Sequence, residues 1–141
     1  MAKKLKILIF PDPRLRKVAK KVEKFDKSLQ ILASDMLKTM YEANGIGLAA
    51  TQVNCHVRLV VMDISEDRND PKIFVNPIYK VLDDHKLFEF EEGCLSIPGF
   101  NEIISRPDKI ELTWQDLNGK VHQDCPEGLL TVCIQHEIDH L

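Results

Sequence analysis

Apolar positions along the chain recur in patterns that predict a long helix followed by a group of short strands. Five apolar residues after position 28 recur at intervals of three and four, which predicts a helix with one buried face. Asp26 and Ser28 are alternative N-caps for it, and Asn44 with Gly45 ends it after Ala43. The residues on its buried face are Leu29, Leu32, Ala33, Met36 and Met40.

Short apolar runs predict several strands, and turn residues separate most of them. The predicted strands cover residues 6–10, 57–64, 73–75, 78–82, 87–90 and 110–115, with a return strand from Val121. The charged turn at 83–86 predicts a hairpin between its flanking strands, and Asn118-Gly119 predicts another. We also expect Pro98-Gly99 to turn the chain.

The last segment of the chain predicts a buried helix that begins at Pro126. Residues 128–134 are apolar around most of the helical circumference, as in helices that are covered on several sides. Strands that cluster between two helices favour an α+β fold with antiparallel pairing.

Composition limits the classes of function. A length of 141 residues suggests one domain spanning 1–141, and 44% hydrophobic with 29% charged residues is ordinary for a globular protein. The formal charge of −3 does not favour nucleic acid as a partner, and every apolar run is too short to span a membrane. The N-terminus lacks the features of an export signal, so we expect a cytoplasmic protein with reduced thiols. Its four cysteines have no paired spacing; they are Cys55, Cys94, Cys125 and Cys133.

The strongest chemical signal is an HExxH pattern in the final helix. His136 and His140 are one turn apart on one side of the helix, so both imidazoles can reach one divalent metal ion. Glu137 follows the first histidine, and in this pattern the glutamate activates a metal-bound water.

A catalytic site of this kind requires a third ligand. Cys133 and His140 are seven residues apart, roughly 10 Å along a helix axis, which is too far for both to bind the ion with His136. We therefore expect Cys133 to be a pocket wall. Cys94, next to Gly93, is only modestly favoured by spacing over Cys55 and Cys125.

Three stretches in this order resemble the signature motifs of the bacterial peptide deformylase family. They are Gly45-Ile46-Gly47-Leu48-Ala49-Ala50-Thr51-Gln52, Glu92-Gly93-Cys94-Leu95-Ser96 and Gln135-His136-Glu137-Ile138-Asp139-His140. The residues from Pro11 to Arg16 are also similar to that family, so the resemblance covers essentially the whole chain. It implies antiparallel β-sheets packed around a central C-terminal helix that carries the metal motif, plus an N-terminal helix.

The resemblance implies a metal-dependent hydrolase that removes formyl from the N-terminal formyl-methionine of new polypeptides and releases formate. It assigns the metal to Cys94, His136 and His140, and the general base and acid to Glu137. It assigns stabilisation of the oxyanion to Gln52 and the backbone N–H of Leu95. The residues that it implies for the bound peptide and its methionine pocket are Gly45, Ile46, Gly47, Phe90, Leu129 and Cys133.

The resemblance also implies one divalent ion per chain, with Fe²⁺ expected and Ni²⁺, Co²⁺ or Zn²⁺ as substitutes. Its partners would be formyl-Met peptides and, transiently, the ribosome. Two departures from the family are visible. Asn101 replaces a usual arginine, which we expect to weaken peptide affinity. The family usually continues beyond the second histidine, and a chain ending at Leu141 is expected to bind metal less tightly.

Two other interpretations remain open at this stage. An HExxH metallopeptidase would cut internal peptide bonds, but it usually takes a third ligand downstream of the motif. A closed, non-catalytic metal site would need a fourth ligand, and Cys55, Cys125 and His122 are the candidates without motif context.

Overall fold

The computed structural model describes residues 2–141 and only the backbone at position 100. Its main elements are two α-helices and seven β-strands, joined by two short 3₁₀ turns at Pro13–Arg16 and Ala50–Val53. The helices are α1 (Lys27–Glu42) and α2 (Leu129–Asp139). The strands are β1 (Gly47–Ala49), β2 (Leu59–Met62), β3 (Lys72–Val81), β4 (Leu87–Cys94), β5 (Ile97–Pro107), β6 (Ile110–Gln115) and β7 (Val121–Asp124).

A five-stranded antiparallel sheet separates the two helices. Its strand order is β1-β2-β3-β6-β7, and β4 with β5 forms a separate antiparallel hairpin. Successive side chains of a strand point to opposite faces, and β2 is buried on both. Leu59 and Val61 pack with α1, whereas Val60 and Met62 pack with α2. This arrangement is the predicted α+β fold, which is confirmed.

The predicted first helix is confirmed with its boundaries. The Asp26 side chain accepts a hydrogen bond from the Leu29 backbone N–H, and the helix ends at Glu42. The helix buries Leu29, Ala33, Met36 and Met40 on its core face. Leu32 is only half-buried, so the core face is narrower than predicted.

Helix α2 begins three residues later than predicted. Gly128, at φ 65°, is its N-cap, and the segment from Pro126 to Gly128 is not helical. The Gln135 side chain donates a 2.9 Å hydrogen bond to the Pro107 carbonyl at the end of β5. This bond ties the helix to the β4–β5 hairpin.

The strand predicted at residues 6–10 is wrong. The Leu8 N–H donates to the Gln52 carbonyl at 2.7 Å, and the Phe10 N–H donates to the Ser96 carbonyl at 2.8 Å. The segment satisfies its backbone on two different elements, so no ladder with one partner forms.

The hairpin predicted around residues 83–86 is also wrong, while the one around Asn118-Gly119 is confirmed. The strand that contains Ile78 pairs with β6, and β4 pairs with β5. The runs predicted at 73–75 and 78–82 belong to the single strand β3, which has an irregularity between Val75 and Ile78. Strands β6 and β7 pair directly around the second turn.

The turn predicted at Pro98-Gly99 lies three residues earlier, at Leu95-Ser96. Cys94 is paired with Ile97, so Leu95 and Ser96 are the two turn residues between β4 and β5. Pro98 and Gly99 belong to β5. Cys94 is therefore held at the end of a strand, next to a tight turn.

Candidate metal and catalytic site

Three side chains from two distant parts of the chain converge beside α2. The candidate ligand atoms of Cys94, His136 and His140 all lie within 4.8 Å of one another. The His136 and His140 Nε2 atoms are 3.2 Å apart, and the Cys94 Sγ is 3.5 Å from His140 Nε2. His140 follows the last residue of α2 but keeps a helical backbone, so its ring stays one turn from His136.

The separations of these atoms fit a shared ion. Metal bonds of about 2.1 Å to nitrogen and about 2.3 Å to sulfur give tetrahedral ligands about 3.4–3.6 Å apart. The measured 3.2 and 3.5 Å are close to that range. One thiol and two imidazoles suit Fe²⁺, Ni²⁺, Co²⁺ or Zn²⁺, so a divalent metal is supported by both the geometry and the donor types.

Electrostatics favour the ligand form of His140 but not of Cys94. Burial and the neighbouring His136 lower the pKa of His140 to about 4, so its imidazole is neutral at physiological pH. Burial raises the pKa of the Cys94 thiol above its ordinary value, despite opposing hydrogen bonds from Ser96 and Ile97, and the Glu137 charge raises it further. A nearby cation would favour the thiolate over the thiol.

His136 is oriented by a buried carboxylate that sequence reasoning did not assign. The ring Nδ1 lies 2.7 Å from Glu92 Oε1, which leaves Nε2 facing the cluster. Arg106 donates to both Glu92 oxygens and also bonds Asp139 at 2.8 Å. Burial alone would raise the pKa of Glu92, but Arg106 and His136 hold it below its usual value.

Glu137 lies beside the cluster in a dry environment. Its side chain is 7% exposed, and its buried Oε2 has no hydrogen-bond partner among the described residues. Burial, with a smaller contribution from the charge of Glu92, raises the pKa of Glu137 to about 8. An unpaired buried carboxylate oxygen next to a ligand cluster is a group that water or substrate is expected to satisfy.

Gln52 is fixed so that its amide N–H groups face the cluster. Its Oε1 accepts from the Ala49 backbone N–H at 2.9 Å, which sets the orientation of the amide. The Nε2 then lies 3.5 Å from the Cys94 Sγ and 3.1 Å from the Ser96 Oγ. Ser96, buried at 1% exposure, is a further site residue that the sequence analysis had only as part of a motif.

A cavity of about 580 Å³ extends from this cluster along the edge strand β1. Ten of the twelve predicted site residues line it: Gly45, Ile46, Gly47, Gln52, Phe90, Cys94, Leu95, Cys133, His136 and Glu137. His140 joins through the metal cluster. Leu129 does not line the cavity and packs in the core between α2 and the sheet.

The glycines at the cavity wall allow close packing around the carboxylate and the turn. A Cβ on Gly47 would lie 3.0 Å from Glu137 Cδ and Oε1, and one on Gly45 would lie 2.6 Å from Leu95 Cδ1. Both distances are shorter than ordinary van der Waals contacts. A side chain at either position would therefore have to displace Leu95 or Glu137.

A helix-borne histidine pair, a thiol and a buried carboxylate beside a cavity are typical of metal-dependent hydrolases. The sequence model for polypeptide deformylase matches residues 4–141. Peptide deformylases of Stutzerimonas stutzeri and Pseudomonas aeruginosa are 56% and 54% identical over 137 residues, covering 97% of this chain and 81% of each relative. The chain thus belongs to the polypeptide deformylase family, and it is an enzyme of that class.

Solved structures agree with this assignment. The crystal structure of peptide deformylase from Thermotoga maritima matches with a TM-score of 0.92 at 39% identity, covering 98% of this chain and 91% of that one. The enzyme from Synechococcus elongatus in complex with actinonin matches with a TM-score of 0.91 at 41% identity, over 99% of this chain and 79% of that one. Among the described residues, no helix is both long and apolar enough to cross a membrane.

Proposed function

We propose that this chain removes the formyl group from N-terminal formyl-methionine of new polypeptides and releases formate. The observation that carries the proposal is the convergence of Cys94, His136 and His140 beside the buried Glu137 carboxylate, at a cavity of about 580 Å³. The family relationship supports the same reaction.

We propose that Cys94, His136 and His140 hold one divalent metal ion. When bound, such an ion lowers the pKa of a coordinated water and polarises a carbonyl oxygen. Glu92 keeps the His136 ring turned toward the cluster through the 2.7 Å bond to Nδ1. Fe²⁺ is the proposed native ion, and the iron form should lose activity in air faster than a nickel form. Equal air stability of the two forms would argue against iron.

Glu137 is proposed to carry the proton of the reaction. Its carboxylate takes a proton from the attacking water and passes it to the methionine nitrogen as the bond between the formyl carbon and that nitrogen breaks. The products are formate and a free amino terminus, and the carboxylate is restored. The position of Glu137 supports this role, because it lies beside the cluster and its buried Oε2 has no hydrogen-bond partner among the described residues.

Gln52 is proposed to stabilise negative charge on the formyl oxygen, together with the backbone N–H of Leu95. The fixed amide orientation supports this role, because the Nε2 donor is directed to the cluster before the substrate arrives. One such fixed donor contributes about 10²–10³ in rate.

The peptide is proposed to bind along the free edge of β1, as an added strand. The Ala49 N–H donates to the Gln52 side chain and not to β2. In an antiparallel pair every second residue of a strand bonds the neighbouring strand, and the residues between them direct their backbone groups away from it. Gly47, two residues earlier, therefore has its backbone groups directed to the cavity. Phe90 and Cys133 line the cavity where we propose the methionine side chain binds, whereas Leu129 would act only through packing behind it.

The proposed partners are formyl-Met peptides on nascent chains, with the ribosome as a transient partner. Because such chains are made in the cytoplasm, we propose that the enzyme acts there.

Formate release from formyl-Met-Ala-Ser tests this function. The metal-loaded enzyme should release formate, and Glu137→Gln should be slower by about 10²–10⁴-fold while binding the same amount of metal. Cleavage of internal bonds in unformylated peptides, without formate release, would support a metallopeptidase and contradict the proposal.

A further inference from the structure

A surface loop outside the ligand cluster contacts the cavity wall through the side chain of Arg68. Arg68 donates from Nη2 to the Gly45 carbonyl at 2.7 Å, and its guanidinium carbon lies 5.1 Å from the centre of the Tyr41 ring. Among the described residues, no carboxylate lies within 4.0 Å of this guanidinium. The Arg68 side chain therefore contacts the Gly45 carbonyl and the Tyr41 ring, and among the described residues it forms no salt bridge.

The loop that presents Arg68 is anchored at a buried carboxylate. The side chain of Asp63 accepts hydrogen bonds from Tyr41 Oη at 2.6 Å, from the Ser65 N–H at 2.9 Å and from the Asp70 N–H at 3.1 Å. Residues on both sides of Arg68 are thus tied to one group, and Tyr41 connects that group to the end of α1. Arg68 itself is held at φ 58° by this loop.

The same loop holds the two carbonyls that precede β1. The Asp63 N–H donates to the Ile46 carbonyl at 2.9 Å, which extends the ladder of β1 and β2 by one residue. Gly45 lies beyond the ladder, so its carbonyl depends on Arg68. Gly45 also packs against Leu95, which is one of the residues that line the cavity.

The distance along the strand indicates which part of a substrate this clamp affects. Gly47 packs against Glu137, where the formyl group reacts. Gly45 is two residues away, about 6.6 Å at 3.3 Å per residue, which is one or two substrate residues beyond the methionine.

We propose that Arg68 is a positioning residue that fixes residues 44–46 for the peptide part of the substrate. The inference rests on the proposed function. In this proposal Arg68 and Asp63 hold the wall that binds the peptide, whereas Glu137 takes part in the chemical step. Arg68 touches no reacting atom, so its loss raises KM for longer substrates and leaves the reaction of the shortest substrate intact.

The experiment compares Arg68→Met and Arg68→Lys with wild type on formyl-methionine amide and on formyl-Met-Ala-Ser. Arg68→Met should raise KM for the tripeptide by about tenfold, the effect of losing one charge-assisted hydrogen bond. Its kcat on both substrates and its KM for formyl-methionine amide should stay within about twofold. Arg68→Lys restores one donor without the planar stack, so it should recover part of the KM. Arg16→Met, an exposed arginine with no ion pair among the described residues, is the matched control.

Hydrogen exchange provides a readout that needs neither metal nor substrate. The Gly45 amide, bonded to the Met40 carbonyl, and the Asp63 amide should exchange faster in Arg68→Met than in the control. Equal losses on both substrates, no change in KM, or unchanged exchange would overturn the proposal while the wild type still releases formate. Absence of formate release by the wild type would instead overturn the proposed function, and the role of Arg68 with it.

Discussion

Replacing Glu92 with glutamine tests how the site holds His136. The substitution keeps the size of the side chain but removes its charge, in a position that is 7% exposed. Glu92 Oε1 serves both His136 and Arg106, at 2.7 and 2.9 Å, while Oε2 accepts from Arg106 Nε. A glutamine has one acceptor oxygen, so its NH₂ must face one of these donors in either orientation.

The expected loss of stability follows from those contacts. Breaking a buried ion pair costs about 3–5 kcal/mol, and Arg106 keeps Asp139 as a second partner, so we expect about 3 kcal/mol. For a chain of this size that is a fall in Tm of about 10 °C. A ligand-orienting partner also contributes about 10–100-fold in metal affinity.

Thermal unfolding of the metal-free protein and a metal titration measure the two effects separately. Glu89→Gln is the matched control, because Glu89 lies on the same strand, is exposed and has no ion pair among the described residues. A Glu92→Gln protein with the Tm and metal affinity of the control would refute the conclusion that the buried carboxylate orients His136.

Three further substitutions test other parts of the site. Gly47→Ala should reduce kcat by about 10²-fold with little change in Tm, because the new Cβ would lie 3.0 Å from the Glu137 carboxylate and displace that carboxylate. Full activity would contradict the close contact. Burial alone would raise the pKa of Asp63, but hydrogen bonds from Ser65, Tyr41 and Asp70 lower it to about 2. Because the pKa of Asp63 is lowered in the folded protein, its ionised form stabilises the fold above pH 3.8, the ordinary pKa, and this stability is lost as pH falls toward 2. Asp63→Asn should therefore lose less stability than wild type across that interval, and parallel unfolding curves would count against it. Asn101→Arg should lower KM for formyl-Met-Ala-Ser without raising kcat, and an unchanged KM would show that Asn101 does not weaken peptide binding.

Local patterns predicted the elements that local forces decide. Helix α1 was predicted because its cap at Asp26 and its apolar spacing both lie in the short stretch from Asp26 to Glu42. The β6–β7 hairpin was predicted because Asn118-Gly119 determines its own turn.

Partners chosen over long distances were not predictable from such patterns. The charged turn at 83–86 resembles a hairpin turn, but β4 pairs with β5. Strand β4 also contacts α2 through the hydrogen bond between Glu92 and His136. The segment at 6–10 has the composition of a strand, yet its N–H groups bond two separate elements. No sequence spacing indicates that Arg106, at the far end of β5, lies against Glu92.

The site was predictable to a similar degree. Helical spacing alone predicted that His136 and His140 lie together, because i and i+4 share a face, and the HExxH pattern added Glu137. Cys94 required the family resemblance, since its approach depends on how the β4–β5 turn packs against α2. The contacts of Ser96 and Arg68 exist only in the folded chain, so no spacing in the sequence indicates them.

X-ray absorption on the nickel-loaded protein is the most direct test of the central claim. It should detect one sulfur near 2.3 Å, two imidazole nitrogens near 2.0–2.1 Å and one further light atom from solvent, and the sulfur should disappear in Cys94→Ala. Absence of a sulfur ligand in the native chain, or a shell filled entirely by protein atoms, would contradict an open hydrolytic site.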